Sequence, residues 1–352
     1  MFATSPKYMH QLFLIRRALP AVLLVYLALI SQGCNYYSGP QSDHYDGSRF
    51  YNQEPGQSFR DHLKWMWEME TVAWPEWIDD PPQPLPTASV GRGELRATYI
   101  NQATVLIQMD EINILTDPFW SEKAGPASWI GAPRIRAPGV PLKNLPHINM
   151  IIISHDHYDH LDIPTLKLLV DAHNPIILVG LGVKARLSAL KQARIIELDW
   201  WDEYPYNDLM ITFVPTRHNS GRGLFDDDKT LWGGYVLQGP QNRVLFLGDT
   251  AFGGFFEDLN HAFPDFRLAI MPVGSYEPYW FMGRAHMNPN DAVLAHQLLN
   301  VQTSLGIHFA TLAEHPQQPL NAHEVDLAIA LSENDIPPSN FILLGFGAGR
   351  DF

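Results

Sequence analysis

The chain has 352 residues, 24 basic and 38 acidic, for a net charge of −14. That excess argues against nucleic acid as the main partner, because phosphate backbones are gripped by clustered Lys and Arg. Apolar types make up 46% and charged types 18%, which supplies a large core and excludes general disorder. A single cysteine, Cys34, excludes an intrachain disulfide and a thiolate zinc site, so any metal must be held by His, Asp or Glu. The 15 histidines are unevenly placed, with three inside residues 155–160.

In chain order, Lys7, Arg16 and Arg17 precede an apolar run, Ala18–Ile30, that ends at Ser31, Gln32, Gly33 and Cys34. Its 13 residues fall short of the roughly 20 that span a bilayer but suit a signal-peptide core. The pattern resembles a bacterial lipoprotein signal with Cys34 as the lipidated residue, although Ser31 stands where such signals usually carry Leu. A cleaved signal, an uncleaved anchor and a buried N-terminal helix are the alternatives. On the favoured reading residues 1–34 lie outside the fold and the protein is exported to the bacterial cell envelope, membrane-anchored or periplasmic. Residues 35–60, rich in Tyr, Ser, Gly, Asp and Gln, read as a solvated tether. The cluster Trp65, Met66, Trp67, Met69, Trp74 and Trp77, followed by Pro81, Pro82, Pro84 and Pro86, reads as a strap over the core. An interfacial lipid surface is the alternative. Residues 35–94 thus form an extension to a catalytic domain at 95–352.

From residue 95 short β-rich runs alternate with turns and helical stretches. Strands are expected at Leu95–Ile100, Thr104–Met109, Ile112–Thr116, Met150–Ile153, Ile176–Val179 and Arg194–Leu198. More are expected at Met210–Val214, Gly234–Gln238, Arg243–Leu247, Leu268–Met271, Ser304–Ile307 and Phe341–Leu344. Several are apolar throughout, as for strands covered on both faces. Helices are expected at Pro164–Ala172, Lys184–Lys191 and Pro289–Leu299.

Polar residues of ligand type fall where strands end, the usual place for sites in α/β sheets. His155, Asp156, His157, Asp159 and His160 follow Met150–Ile153. His218, Asp249 and His308 follow three other strands. In the HxHxDH run, His155 and His157 can point the same way from an extended segment, and Asp159 and His160 come after the turn. Two ligands before a turn and two after it can serve two adjacent ions. Imidazole and carboxylate without sulfur suit Zn²⁺, with Mn²⁺ and Fe²⁺ as alternatives. Isolated histidines such as His173 and His296 read as ordinary structural residues. Asp162 reads as a helix N-cap, and Asp156 either faces away or orients a ligand.

These residues resemble the metallo-β-lactamase superfamily, and within it the branch of zinc phospholipases D that hydrolyse N-acylphosphatidylethanolamine. The likeness spans roughly residues 95–350 through LTDPFW at 115–120, SHDHYDHLD at 154–162, IELDWWDE at 196–203 and LWGGYVLQGP at 231–240. It continues in LGDTAF at 247–252, GSYEPYWFM at 274–282 and GIHFATLAEHP at 306–316. It implies a four-layer αββα sandwich of two mixed β-sheets flanked by helices. It also implies two zinc ions, one on His155, His157 and His218, the other on Asp159, His160 and His308, with Asp249 and a hydroxide bridging them. His286 and Arg217 would contact the substrate phosphate. Gln102 stands where the family commonly has His; it can donate a hydrogen bond to substrate but cannot carry a proton. The implied activity is a phospholipase D-type phosphodiesterase attacking through the bridging hydroxide, with a phospholipid or other small ester as substrate and the membrane as partner. A lactone, β-lactam or soluble phosphodiester hydrolase is the first alternative, and a non-catalytic metal-binding envelope lipoprotein the second.

Overall fold

The computed structural model describes residues 36–352, apart from 53, 55, 224, 314–316 and the side chain of residue 59. The expected export signal and Cys34 lie outside the described residues. The chain runs through helix α1 (Phe59–Glu68), strands β1 (Leu95–Asn101), β2 (Thr104–Met109) and β3 (Ile112–Thr116), and the hairpin β4 (Lys123–Ala127) and β5 (Ile130–Pro133). Then come β6 (Met150–Ile152), α2 (Ile163–His173), β7 (Ile176–Gly180), α3 (Val183–Arg186), β8 (Arg194–Leu198), β9 (Glu203–Tyr206) and β10 (Leu209–Val214). The remainder is β11 (Gly234–Gln238), β12 (Arg243–Phe246), α4 (Phe255–Ala262), β13 (Leu268–Pro272), α5 (Tyr279–Met282), α6 (Pro289–Leu298), β14 (Thr303–Ile307), α7 (Ala322–Glu333), β15 (Phe341–Ile342) and β16 (Gly349–Asp351).

Two seven-stranded sheets result, ordered β16-β1-β2-β3-β6-β7-β8 and β15-β14-β13-β12-β11-β10-β9. Each is antiparallel over one part and parallel over the other, the parallel parts being β3-β6-β7-β8 and β12-β13-β14-β15. Both sheets are therefore mixed, as expected, and helices flank them. Alternation along the strands explains the layering: Val105 and Ile107 enter the core between the sheets, while Leu106 faces the cluster under α2 with Leu166 and Leu169. With both faces covered, the strands read as continuous apolar runs. The buried Tyr235 hydroxyl in β11 donates to the Ile153 carbonyl at 2.9 Å, tying the sheets together beside the end of β6.

Residues 36–52 are not a solvated tether. Tyr45 and Phe50 are 2% and 1% exposed and belong to the main core, and Phe50 N donates to the Asp228 carbonyl at 2.8 Å. The polar average of this stretch hides an aromatic knot in which Tyr37, Tyr45 and Phe50 ring centroids lie 4.6 to 5.4 Å apart. The predicted tether also contains the start of α1, where Ser58 and Asp61 form a capping box. The Trp-rich strap divides by face. Trp65 stacks on Phe281 at 5.2 Å and Trp74 Nε1 donates to the Gln318 carbonyl at 2.9 Å, whereas Trp67 is 91% exposed. The hairpin β4–β5 is absent from the expected strands because its Gly and Pro content reads as loop.

Asp228, whose carbonyl accepts from Phe50 N, carries its own carboxylate at an electrostatic disadvantage. Burial, followed by the neighbouring charge of Asp227, pushes its pKa up to about 6. The folded value lies above the unfolded one of about 3.9, so ionisation destabilises the fold; the penalty is complete above about pH 6 and fades as pH falls toward 4. Asp228→Asn is therefore expected to raise the melting temperature at pH 7.5, equivalent to about 1–2 kcal/mol, with most of the gain gone at pH 4. Thermal melts of both proteins at the two pH values check this; an equal gain at both would remove the titration explanation.

Candidate metal centre

Every expected ligand sits just beyond a strand end. β6 runs into His155–His160, β10 into His218, β12 into Asp249 and β14 into His308, so both sheets contribute at one end of the sandwich. Two glycines permit the close approach. Gly248 has φ +60 and a Cβ there would collide with the Ser154 side chain; a Cβ on Gly274 would collide with the His308 carbonyl.

His155 Nε2 lies 2.8 Å from His157 Nδ1, and His218 Nε2 lies 3.3 Å from the same atom. Beside them, Asp159 Oδ2 and Asp249 Oδ2 each lie 3.2 Å from His160 Nε2, and 3.3 and 3.0 Å from His308 Nε2. Asp249 Oδ2 is also 3.9 Å from His218 Nε2, placing this carboxylate between the two groups. The ligand atoms of His155, His157 and His218 fall within 4.8 Å of one another, as do those of Asp159, His160, Asp249 and His308. The structure thus brings together all seven residues expected to bind metal.

Electrostatics separates the two groups. Burial pushes His155 and His218 well below the usual imidazole range and lowers His157, leaving neutral rings with lone pairs for a cation. In the second group burial also opposes charge on the imidazoles, but Asp159 and Asp249 outweigh it, holding His160 well above its ordinary value and raising His308 to about 9. Burial likewise works against charge on the two carboxylates, yet His160 and His308 hold both well below the carboxylate range.

These residues fit a pair of cations. Imidazole nitrogens facing each other at 2.8 and 3.3 Å need a proton or a metal between them. Asp249 Oδ1 and His160 Nε2 are buried without a protein hydrogen-bond partner, an arrangement that costs free energy unless something else satisfies them. The donor set of five imidazoles and two carboxylates within these groups is one that divalent transition metals accept.

A supporting layer that sequence reasoning missed fixes the rings. Asp117, fully buried after β3, accepts from His160 Nδ1 at 2.7 Å, from Ser154 Oγ at 2.6 Å and from Ser154 N at 2.7 Å. Ser154 Oγ also lies 2.9 Å from His155 Nδ1, and His218 Nδ1 donates to the Ala285 carbonyl at 2.9 Å. Each contact occupies the far ring nitrogen and turns the near one inward. The signal was present as the Asp of LTDPFW at a strand end, but one carboxylate carries no spacing pattern.

The remaining predicted residues separate. Gln102 lines the cavity over the metal residues, and its amide donates to Asp159 Oδ2 at 2.9 Å and lies 2.9 Å from His308 Nε2, so it also positions ligands. Arg217 is turned away from the metal residues, pairing with Glu54 at 2.6 Å and donating to the Phe252 carbonyl. Neighbours on an extended segment point oppositely, and His218 takes the inward direction. His286 does enter the site, with Nδ1 3.8 Å from Asp249 Oδ2 and burial lowering its pKa to about 4. Asp156 binds Arg186 Nε at 2.8 Å and Gly221 N at 2.7 Å, fixing loops rather than metal. Asp162 occupies the N-cap position of α2 without capping; its carboxylate accepts from Trp120 N and Ser121 N instead. His296 is satisfied in the core by Ser304 Oγ at 2.8 Å, and His173 lies apart beside His147.

A cavity of about 400 Å³ opens onto His157, Asp159, Asp249, His286 and His308. Trp65, Trp74, Phe281, Met282 and Leu312 add apolar wall to it. Ser275 and Glu277 add polar atoms. Two of these wall residues come from the N-terminal extension.

The family described as Beta-lactamase superfamily domain matches residues 112–309, over half of the chain. The chain therefore belongs to the metallo-β-lactamase superfamily, and its fold and ligand clusters define a metal-dependent hydrolase. Among its relatives, an uncharacterized protein of Mycobacterium tuberculosis is 36% identical over 294 residues, covering 78% of this chain and 77% of that one. An N-acyl-phosphatidylethanolamine-hydrolyzing phospholipase D of Caenorhabditis elegans is 37% identical over 229 residues, covering 62% of this chain and 64% of that protein. An isothiocyanate hydrolase from Delia radicum gut bacteria shares the fold, with TM-score 0.58 and 20% identity over 73% of this chain and 99% of the other.

Asp117→Asn keeps the shape but removes the charge that orients His160. It is expected to weaken metal binding by about 10- to 100-fold. Chelator competition followed by elemental analysis reads the change, and unaltered affinity would deny Asp117 its orienting role.

Proposed function

We propose that the protein is a zinc-dependent phospholipase D-type phosphodiesterase acting on N-acylphosphatidylethanolamine-like phospholipids. The observation that carries this reading is the pairing of the seven-residue ligand cluster with a cavity that Trp65, Trp74, Phe281, Met282 and Leu312 also line. Such a cavity suits an amphiphile, with hydrocarbon against the indoles and phosphate at the imidazoles. The activity for which the C. elegans relative is named supports it, as does that of a Saccharomyces cerevisiae mitochondrial enzyme named for the same activity, 30% identical over 61% of this chain. The matched region spans 64% and 47% of those proteins.

Bound at these ligands, a pair of divalent ions would acidify water toward a pKa of about 7 and neutralise charge on a phosphodiester. The chain's own residues supply placement. Asp249, within reach of His160, His218 and His308, defines the centre of the site, and its Oδ1 has no protein partner and can orient water. His286 sits over that centre and donates a hydrogen bond to a non-bridging phosphate oxygen. Water's oxygen forms the new bond to phosphorus while the bond to the head-group oxygen breaks. The alcohol leaves with a proton, and phosphatidic acid remains. The apolar wall excludes bulk water from the reacting atoms.

The same reading places the protein at a bacterial membrane, held by its N-terminal segment with Cys34 lipidated. No helix among the described residues is long and apolar enough to cross a membrane. Support comes instead from the two elements bordering the cavity. α1 lines it through Trp65 and exposes Trp67, and the β4–β5 hairpin lines it through Ala124 and exposes Trp129 at 73%. Exposed indoles favour the membrane interface.

Zinc-loaded protein is expected to release N-acylethanolamine and phosphatidic acid from detergent-dispersed N-acylphosphatidylethanolamine. Absence of head-group release would favour a soluble ester or lactone as the true substrate. Asp249→Asn should lower turnover by about 100-fold or more and weaken retention of at least one ion, while His173→Ala should match the unsubstituted protein. Mass spectrometry of the products and metal analysis of the same preparations give both readouts.

A further inference from the structure

Three imidazoles of the metal centre are held from behind. Ser154 Oγ lies 2.9 Å from His155 Nδ1, Asp117 accepts from His160 Nδ1 at 2.7 Å, and the Ala285 carbonyl accepts from His218 Nδ1 at 2.9 Å. His308 is steadied by Gln102, whose carbonyl accepts from its N–H at 2.7 Å and whose amide lies 2.9 Å from its Nε2. His157 has no such support. Its Nδ1 faces His155 and His218, and among the described residues nothing hydrogen-bonds its Nε2. The ring is also only partly buried. Its place must therefore be set through the backbone.

One side chain grips that backbone on both sides. Arg222, on the loop that carries His218, donates through Nη1 to the Asp156 carbonyl at 2.9 Å and to the Leu161 carbonyl at 2.8 Å. Its guanidinium carbon lies 3.8 Å from the centroid of the Tyr158 ring, and the Tyr158 hydroxyl donates to the Arg222 carbonyl at 2.9 Å. The residues before and after His157 are thus both tied to Arg222. Leu161 belongs to the same turn, since its N–H donates to the His157 carbonyl at 2.8 Å. A guanidinium suits the task because it can stack on a ring and donate within its own plane at once.

Arg222 is itself anchored. Asp226 Oδ1 accepts from Arg222 N at 3.2 Å and from Gly223 N at 2.7 Å, while Asp226 Oδ2 pairs with Arg186 Nη2 at 2.7 Å. Arg186 Nε binds Asp156 Oδ2, and Asp156 Oδ1 accepts from Gly221 N, which closes a circuit between the two loops. Those loops leave β6 and β10, strands of different sheets, so the circuit sets the 3.3 Å approach of His218 Nε2 to His157 Nδ1. Asp159, His160 and His308 depend instead on Asp117 and Gln102, and none of them bonds Arg222.

We infer that Arg222 is a positioning residue for one ion of the pair: through Tyr158 and the flanking carbonyls it fixes His157, so that His155, His157 and His218 close around a cation. It acts through the backbone and bonds no ligand ring. The role depends on the metal centre alone and holds whichever ester is hydrolysed.

The test adds cobalt(II) to the chelator-treated full chain and follows its visible absorption, with the band of each site assigned from His155→Ala and His308→Ala. Arg222→Met keeps much of the volume over Tyr158 and removes the donors. It is expected to weaken the ion at His155, His157 and His218 by about 10- to 100-fold, and to leave the ion at Asp159, His160 and His308 unchanged. Arg222→Lys, which restores a donor, should recover part of the loss. A clasp with a merely structural role would lower the melting temperature without altering the ratio of the two affinities. Should Arg222→Met not fold, Tyr158→Phe decides: losing the single hydroxyl should weaken the same ion by about fivefold, the equivalent of one hydrogen bond. An unchanged three-imidazole ion, or equal weakening of both ions, in the variant that folds overturns the assignment.

Discussion

Everything in this molecule depends on crowding imidazoles and carboxylates into a nearly dry space. His155, His160, His218, Asp249 and His308 are each no more than 4% exposed, yet their ligand atoms lie within a few ångströms of one another. In such surroundings an unpaired charge is strongly disfavoured, so each group is tolerable only because a neighbour or a bound cation compensates it. The three-imidazole group and the Asp–His group do so in different ways: the first stays neutral, and the second offsets opposite charges. A cation pair suits both, since neutral lone pairs and carboxylates are what metals require.

That crowding has to be held against relaxation, and the supports are rigid. Asp117, without exposed surface, clamps Ser154 and His160 from the floor of the first sheet. Gln102 clamps Asp159 and His308 from the β1–β2 turn, and its own carbonyl accepts from His308 N at 2.7 Å. Gly248 and Gly274 let the loops approach more closely than any side chain would permit. Each sheet alone carries an incomplete ligand set, so sandwich packing and site assembly are one event.

The cavity follows a different logic. Its polar floor belongs to the sandwich, but part of its apolar wall comes from α1 and the following segment, which belong to neither seven-stranded sheet. Trp65 rests on Phe281, itself in α5, so the wall is built from two short elements leaning on each other. Conserving the floor while varying such a wall would change what the site admits without disturbing what it does to a bond.

The amino-acid sequence by itself determined twelve of the sixteen strands and the ligand identities. Apolar runs such as Met150–Ile152 leave little choice of structure, and the HxHxDH spacing sets local geometry that survives any tertiary context. Only the folded chain decided which way neighbours point, which side chains lie behind the ligands and what forms the cavity. Arg217 turned outward and Gln102 turned onto ligands because direction is settled by packing between sheets rather than by residue type. Asp117 was invisible for the same reason: a buried polar group acquires meaning from partners distant in sequence. Residues 36–52 joined the core because a few well-placed aromatic contacts outweigh a polar average, a balance that composition cannot express.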